Sequence, residues 1–313
     1  MAAIVQPVGT KRDLLTGLEW NPAQLHDFYR LATDVKAHPD RYRTALANRV
    51  VTLIFEKPSL RTRVTFEIGV ANLGGTAIFL DHTGARLGER EPIHDIARNL
   101  ERWVQGIVAR VFAQETLDEL ARNANVPVIN ALSDKFHPCQ ALADFFTLEE
   151  HFGGVRGLKI AYVGDGNNMC HSLMATAARC GAHIRVATPP GYEPLEDVVA
   201  EAKCVARDTQ GKIEILTSPE EAVAGVQAVY TDVWASMGQE AEAAKREKTF
   251  MPYQVSGKLF AHAAPDAVFM HCLPAHRGLE VTAEVIDSPR SVIYDQAENR
   301  LHVQKAILHT LLN

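Results

Sequence analysis

The chain has 313 residues, 47% of them hydrophobic and 22% charged, with a formal net charge of −6. That length and apolar content suit two packed domains and exclude a disordered chain, and the acidic balance argues against a surface that wraps nucleic acid. Five scattered cysteines make no disulfide framework, the opening stretch lacks an apolar leader, and no run is long enough to cross a bilayer, so the expectation is a cytoplasmic protein with no nucleic-acid or membrane partner.

Asn21-Pro22 supplies a helix N-cap and a first-turn proline, and Leu25, Phe28, Leu31 or Ala32, and Val35 follow at helical spacing. The β-branched run Val50–Phe55 reads as a buried parallel strand, and Pro58-Ser59 opens a helix that stops near Gly74-Gly75. The alternation then repeats: strand Thr76–Asp81, helix Pro92–Val104, strand Gly106–Phe112, helix Gln114–Asn123, strand Pro127–Leu132. Ile93, Ile96, Leu100 and either Trp103 or Val104 give the third helix an apolar face. A long helix from about His137 leads to Phe152-Gly153-Gly154, the best candidate boundary. Beyond it, strands are predicted at Leu158–Val163, His183–Thr188, Lys212–Leu216, Ala228–Asp232, Val268–His271 and Ser291–Asp295, then a closing helix Ala297–Leu312. Strands alternating with helices mean parallel sheets covered on both faces, so the fold class is α/β with two doubly wound domains.

Ligands of such sheets bind beyond the carboxyl ends of the strands. Four segments there concentrate polar groups. Ser59-Leu60-Arg61-Thr62-Arg63 opens a helix, where free N–H groups, hydroxyls and a forked guanidinium suit phosphate; the plainer reading is a serine cap with solvated arginines. Arg110 lies in the apolar strand Ile107–Phe112, where a charge is either paired and functional or sits at an exposed strand end. His137-Pro138-Cys139-Gln140 combines a group that donates to a carbonyl with an amide that matches another amide, or is simple turn chemistry. His271-Cys272-Leu273-Pro274-Ala275-His276-Arg277-Gly278 holds metal-type ligands, but the chain has no C-x-x-C or H-E-x-x-H pattern to complete a site, so no metal is expected. Gly164-Asp165-Gly166 resembles a dinucleotide turn. However, Met169 stands at the third glycine position and the next strand ends in Ala187-Thr188-Pro189, without an acid for a ribose, so no nucleotide cofactor is expected. Asn167 and Asn168 suit an amino acid's polar ends better. There is no G-x-S-x-G elbow for a serine hydrolase.

Together these segments resemble the aspartate/ornithine carbamoyltransferase family over nearly the whole chain. Phe55-Glu56-Lys57-Pro58-Ser59-Leu60-Arg61-Thr62-Arg63 resembles the family's carbamoyl phosphate loop, usually S-T-R-T-R, and His137-Pro138-Cys139-Gln140 its H-P-x-Q motif. Asp232-Val233-Trp234-Ala235-Ser236-Met237-Gly238 matches D-x-x-x-S-M-G, and His271-Cys272-Leu273-Pro274 matches H-C-L-P, both marks of the branch that uses ornithine.

The resemblance implies transfer of the carbamoyl group of carbamoyl phosphate to the δ-amine of L-ornithine, giving L-citrulline and phosphate, with no cofactor. It implies a carbamoyl phosphate domain over 1–150, completed by a helix over 297–313 that crosses back, and an ornithine domain over 151–296. Ser59, Leu60 (by its backbone), Arg61, Thr62 and Arg110 would hold the phosphate. Thr62, Arg110 and His137 would polarise the carbamoyl oxygen, and Gln140, Arg300 and the carbonyls of Cys272 and Leu273 would orient its nitrogen. Asn168, Asp232, Ser236 and Met237 would hold the α-amino and carboxylate ends of ornithine, with Cys272 beside the δ-nitrogen. Arg110, His137 and Cys272 are thus the expected catalytic residues. The implied kinetics are ordered and sequential, with domain closure, in a homotrimer or a multiple of trimers. Two positions depart from the pattern: Leu60 replaces threonine, and Arg86 stands where a neighbouring subunit's glutamine usually reaches the phosphate, so Arg86 is expected to make that contact as a cation. Acylated ornithine or putrescine as acceptor, and a catalytically silent paralogue, are the alternatives.

Overall fold

The computed structural model describes residues 11–235 and 242–313. The chain divides into two compact units. One runs to Phe146 and takes back Glu298–Asn313; the other is the uninterrupted stretch Thr147–Ala297.

The first unit contains α1 (Pro22–Ala37), β1 (Val50–Phe55), α2 (Leu60–Asn72), β2 (Thr76–Asp81), α3 (Ile93–Trp103), β3 (Gly106–Arg110), α4 (Gln114–Asn123), β4 (Val128–Leu132) and most of α5 (Pro138–Phe152). α1 begins with a full capping box: the Asn21 side chain accepts from the Gln24 N–H while Gln24 accepts from the Asn21 N–H. The four strands lie in the order β2-β1-β3-β4, every pair parallel. β1 and β3 are central, and that is why both are dominated by apolar residues, Thr52 and Arg110 apart. One core layer gathers Ile54, Leu100, Val104, Ile107, Ala109, Leu117 and Val128. Each large side chain so buried contributes about 1.5–3 kcal/mol relative to exposure.

The ambiguity at the end of α3 resolves in favour of Val104. Ala97 and Leu100 are its buried residues, and Val104 joins the core while Trp103 is 67% exposed. A stripe through Ile93, Ala97, Leu100 and Val104 keeps helical phase, and Trp103 falls outside it.

The second unit contains β5 (Lys159–Val163), α6 (Asn168–Cys180), β6 (His183–Ala187), α7 (Glu196–Thr209), β7 (Lys212–Leu216), α8 (Pro219–Val223), β8 (Ala228–Thr231), α9 (Ala243–Phe250), α10 (Gly257–Phe260), β9 (Val268–His271) and α11 (Ala283–Ile286), followed by the start of α12 (Ile293–Leu312). Its parallel sheet has the order β7-β6-β5-β8-β9. The expected strand Ser291–Asp295 is not formed. Ser291 makes one parallel bridge to Phe269, and the chain is helical from Ile293. Val292 and Ile293 suggested a strand, but the Gln296 N–H already donates to the Val292 carbonyl at 2.9 Å and closes the first helical turn. The later part of α12 buries Val303, Ala306, Ile307 and Leu308 in the first unit. There Gly106 is required: a Cβ on it would stand 2.8 Å from the Leu312 side chain.

In both sheets the strand order reverses once, between β1 and β3 in the first and between β5 and β8 in the second. Helices leaving neighbouring strands to opposite sides open a crevice at such a point. The carboxyl ends of β1, β3, β5 and β8 carry Ser59–Thr62, Arg110, Asn168 and Asp232, while the predicted segments His137–Gln140 and His271–Pro274 come after β4 and at the end of β9, the neighbouring strands.

Candidate active site

In the first unit, the turn after β1 delivers Ser59 as the N-cap of α2, its Oγ accepting the Thr62 N–H at 3.4 Å. Thr62 is buried and Arg61 half-buried, while Leu60 is 76% exposed. The substitution at Leu60 therefore alters the surface and leaves the backbone donors of the turn in place. Arg110 ends β3 at only 5% exposure, which removes the exposed-strand-end reading. His137 is buried at the start of α5, its carbonyl taking the N–H groups of Gln140 and Ala141 at 3.1 and 3.3 Å.

Gln140 is fixed from two sides. Its Oε1 accepts from Arg300 Nη1, and its Nε2 donates to Asp144 Oδ1 at 2.7 Å. A guanidinium only donates and a carboxylate only accepts, so the amide has one possible orientation. Arg300 also reaches Thr62 Oγ1 at 3.2 Å and so links α12, α2 and α5. Burial, and then the cations of Arg300, Arg110 and Arg61, hold the His137 imidazole well below its ordinary pKa. It is therefore a neutral hydrogen-bonding group at physiological pH, standing among three arginines that suit a polyanion. Burial pushes the neighbouring Cys139 thiol up to about 12, so it is inert.

The sign of the His137 shift sets a measurable trend. Unfolded, the side chain takes a proton near its ordinary 6.5; folded, it refuses one until lower pH. Its contribution to stability is therefore complete above about pH 6.5 and shrinks as pH falls. His137→Gln should lose thermal midpoint less steeply than the parent between pH 7 and 5. Parallel curves for the two proteins would contradict this.

Glu56 was missed in the sequence. Its buried carboxylate accepts the N–H of Leu87 and of Phe112, each at 2.7 Å, tying the loop of Arg86 to the end of β3. An acid directly after an apolar strand was the available signal. The exposed Arg86 guanidinium lies over its own chain's Phe112 ring, 4.6 Å from the centroid, and Lys57 is 4.5 Å from the same ring. Reaching a neighbouring subunit would cost Arg86 a cation–π contact of about 0.5–1 kcal/mol. Burial and Arg110 lower the pKa of Lys57.

In the second unit, Asn167 caps α6, of which Asn168 is the first residue. Asp232 follows β8; its Oδ1 accepts the Val233 N–H at 2.8 Å and the Cys272 thiol at 3.0 Å, and its Oδ2 accepts Asn167 Nδ2 at 3.0 Å. Leu273 has φ +58, and its N–H donates to His271 Nδ1 at 2.8 Å. Ser236 and Met237 lie outside the described residues. The glycine-rich turn after β5 has a use unrelated to a pyrophosphate. A Cβ on Gly166 would lie 2.2 Å from the backbone N of Pro194, so this chain's own backbone occupies the approach.

Among the described residues, Asp232, His271 and Cys272 bring potential metal ligand atoms within 4.8 Å of one another. Most of their ligand atoms are already engaged: His271 Nδ1 accepts from Leu273, and the thiol and Asp232 bond each other, while His271 Nε2 faces the buried Glu280 carboxylate at 3.4 Å. A cation held by Asp232 and Cys272 would have to displace the bond between them. Glu280 and the buried Arg246, which pairs with Asp165 at 2.8 Å and donates to the Trp234 carbonyl at 2.8 Å, were also invisible to motif reading.

Two family models match the chain, one after the other. Residues 12–150 match the family model "Aspartate/ornithine carbamoyltransferase, carbamoyl-P binding domain", and residues 156–311 match its "Asp/Orn binding domain". The ornithine carbamoyltransferase of Thermus thermophilus is 51% identical over 302 residues, covering 96% of this chain and 97% of that one. The anabolic ornithine carbamoyltransferase of Pyrococcus furiosus is 54% identical over 263 residues, 84% of each chain. A solved structure of ornithine carbamoyltransferase from Pyrococcus furiosus superposes with a TM-score of 0.92 at 50% identity, covering 96% of both chains. With three arginines around a buried imidazole in one unit, a buried carboxylate bonded to Asn167 and Cys272 in the other, and both family models matched in order, the chain belongs to the aspartate/ornithine carbamoyltransferase family.

Proposed function

We propose that the chain transfers the carbamoyl group of carbamoyl phosphate to the δ-amine of L-ornithine, giving L-citrulline and phosphate in the direction of arginine biosynthesis. The observation that carries the reading is the first unit's half-site: three arginines around a neutral buried imidazole, beside an amide locked in one orientation. The relatives' names support ornithine as acceptor, and the anabolic relative supports the direction.

Ser59, Arg61, Thr62, the backbone of Leu60, and Arg110 hold the phosphate. The neutral δ-nitrogen attacks the carbamoyl carbon, the carbon–oxygen bond to phosphate breaks, and the nitrogen's surplus proton leaves with the phosphate. Negative charge grows on the carbamoyl oxygen during attack, and Arg110, His137 and Thr62 donate to it. Gln140, with its Oε1 oriented by Arg300, accepts from the carbamoyl nitrogen, as do the carbonyls of Cys272 and Leu273. Asp232 receives the α-ammonium of ornithine, Asn168, Ser236 and Met237 complete the amino-acid contacts, and Cys272 lies beside the δ-nitrogen. The domain roles follow: carbamoyl phosphate to the first unit with the end of α12, ornithine to the second.

The same reading makes the chain a homotrimer or a multiple of one. Leu60, Val64 and Ile68 recur every fourth residue along α2 and are all exposed, and Ile78 is exposed on edge strand β2. A second copy of the chain covers this apolar face. The reaction belongs in the cytoplasm, where the five free cysteines stay reduced. No helix of the described residues is long and apolar enough to cross a membrane.

The test is citrulline formation from carbamoyl phosphate with ornithine, beside acetylornithine, putrescine and aspartate, on a sample whose mass is read by light scattering. Turnover with ornithine alone, at a multiple of three chain masses, is expected. Turnover only with another amine would overturn the acceptor assignment, and a monomer would overturn the trimer.

A further inference from the structure

The turn after β5 contains Asn167, a side chain that the proposed reaction leaves without a role. Asn167 Oδ1 accepts the N–H groups of Met169 and Cys170 at 2.9 and 3.1 Å and so caps α6. The buried Tyr162 hydroxyl lies 3.3 Å from the same oxygen. Rotating the amide by half a turn would set its NH2 group against two backbone N–H donors, so the oxygen is held on the helix. The Nδ2 group then has one direction left, and it points at Asp232 Oδ2, 3.0 Å away.

Asp232 is correspondingly constrained. Its other oxygen takes its neighbour's N–H and the Cys272 thiol, and the residue is only 8% exposed. Of these three donors, Val233 is its chain neighbour and Cys272 follows β9, so Asn167 is the one that ties the carboxylate to α6, the helix that begins with Asn168. One asparagine thus couples a helix cap to the orientation of the carboxylate.

We propose that Asn167 is a positioning residue for the acceptor amino acid: through its amide it holds Asp232 in the rotamer that receives a free α-ammonium group, and so favours ornithine over α-N-acylated ornithine. This rests on the acceptor assignment made above. A carboxylate free to turn loses its aim at the ammonium, whereas an acylated nitrogen carries no charge to be aimed at.

Two variants separate this role from capping. Asn167→Asp keeps a cap oxygen of equal reach but removes the amide donor. Asn167→Ser keeps a cap oxygen, adds no charge and is too short to reach Asp232. Both should raise the KM for ornithine by about 10–100-fold, the range for a lost hydrogen bond to a charged group. The KM for carbamoyl phosphate and the thermal midpoint should change little. The preference for ornithine over α-N-acetylornithine in kcat/KM should fall in step. If Asn167→Asp fails to fold because two carboxylates face each other, Asn167→Ser decides alone. An unchanged ornithine KM in a folded variant, or equal rises in both KM values with the preference intact, overturns the proposal. Parent enzyme that makes no citrulline from ornithine would instead remove the acceptor assignment beneath it.

Discussion

Replacing Arg110 with methionine is expected to lower kcat by about 10²–10³-fold, the usual effect of deleting one aimed donor to a developing oxyanion. The side chain is 5% exposed at the end of a central strand, so solvent does not screen its charge. Its backbone is held independently: the Arg110 carbonyl takes the Glu56 N–H at 2.8 Å, so truncating the side chain leaves the strand end in place. The folded state should tolerate the change well. Lys57 and His137 both have pKa values lowered in part by the Arg110 cation, so its removal relieves repulsion among like charges. A thermal midpoint held or raised, beside a collapsed turnover, is the pattern of a residue kept for chemistry at the expense of stability. A loss of kcat below tenfold would assign Arg110 to packing.

The second large effect belongs to Asp232. Asp232→Asn should lower kcat/KM for ornithine by about 30-fold to several thousand-fold, the 2–5 kcal/mol typical of breaking a buried charge pair. Three donors converge on this carboxylate, and an amide in its place sets an NH2 group against at least one of them. The effect should fall on ornithine and leave binding of carbamoyl phosphate to the isolated enzyme unchanged, which calorimetry with that ligand alone would check. A fall of less than tenfold for ornithine, or an equal weakening of carbamoyl phosphate, would remove Asp232 from acceptor binding.

Much of this was legible in the chain because the candidate polar segments sit at strand ends, where local patterns are strongest. Ser59 was legible as a helix cap from its place after Pro58 at a helix start, and it caps α2. Arg110 stood out as a charge in an apolar run, and its burial decided between the two readings open for it. Arg300 was different. Nothing in the α12 sequence separates it from an ordinary helical arginine, and only the resemblance singled it out; its bonds to Gln140 and Thr62 depend on packing between segments far apart in sequence. Glu56, Arg246 and Glu280 went unseen for the same reason, since a buried carboxylate or guanidinium acts through partners that periodicity does not encode. The misread strand at Ser291–Asp295 shows the limit of β-branched runs: two such residues were outweighed by a helix already closing at Gln296.

The division of the first unit into two stretches also bears on how the protein is made. Its sheet is complete by Leu132, but Arg300 and the apolar face of α12 come from the last part of the chain. At about 5–20 residues per second, a ribosome takes roughly 10–30 s to extend a nascent chain from residue 146 to residue 313. Through that interval the uninterrupted second unit can acquire its full complement of residues first, reversing the usual amino-terminal lead. A product released early would lack the arginine that orients Gln140 and the cover over β3. Until Glu298–Asn313 has been made, the first unit therefore holds its sheet and Arg110 but leaves Gln140 without the guanidinium that fixes its amide.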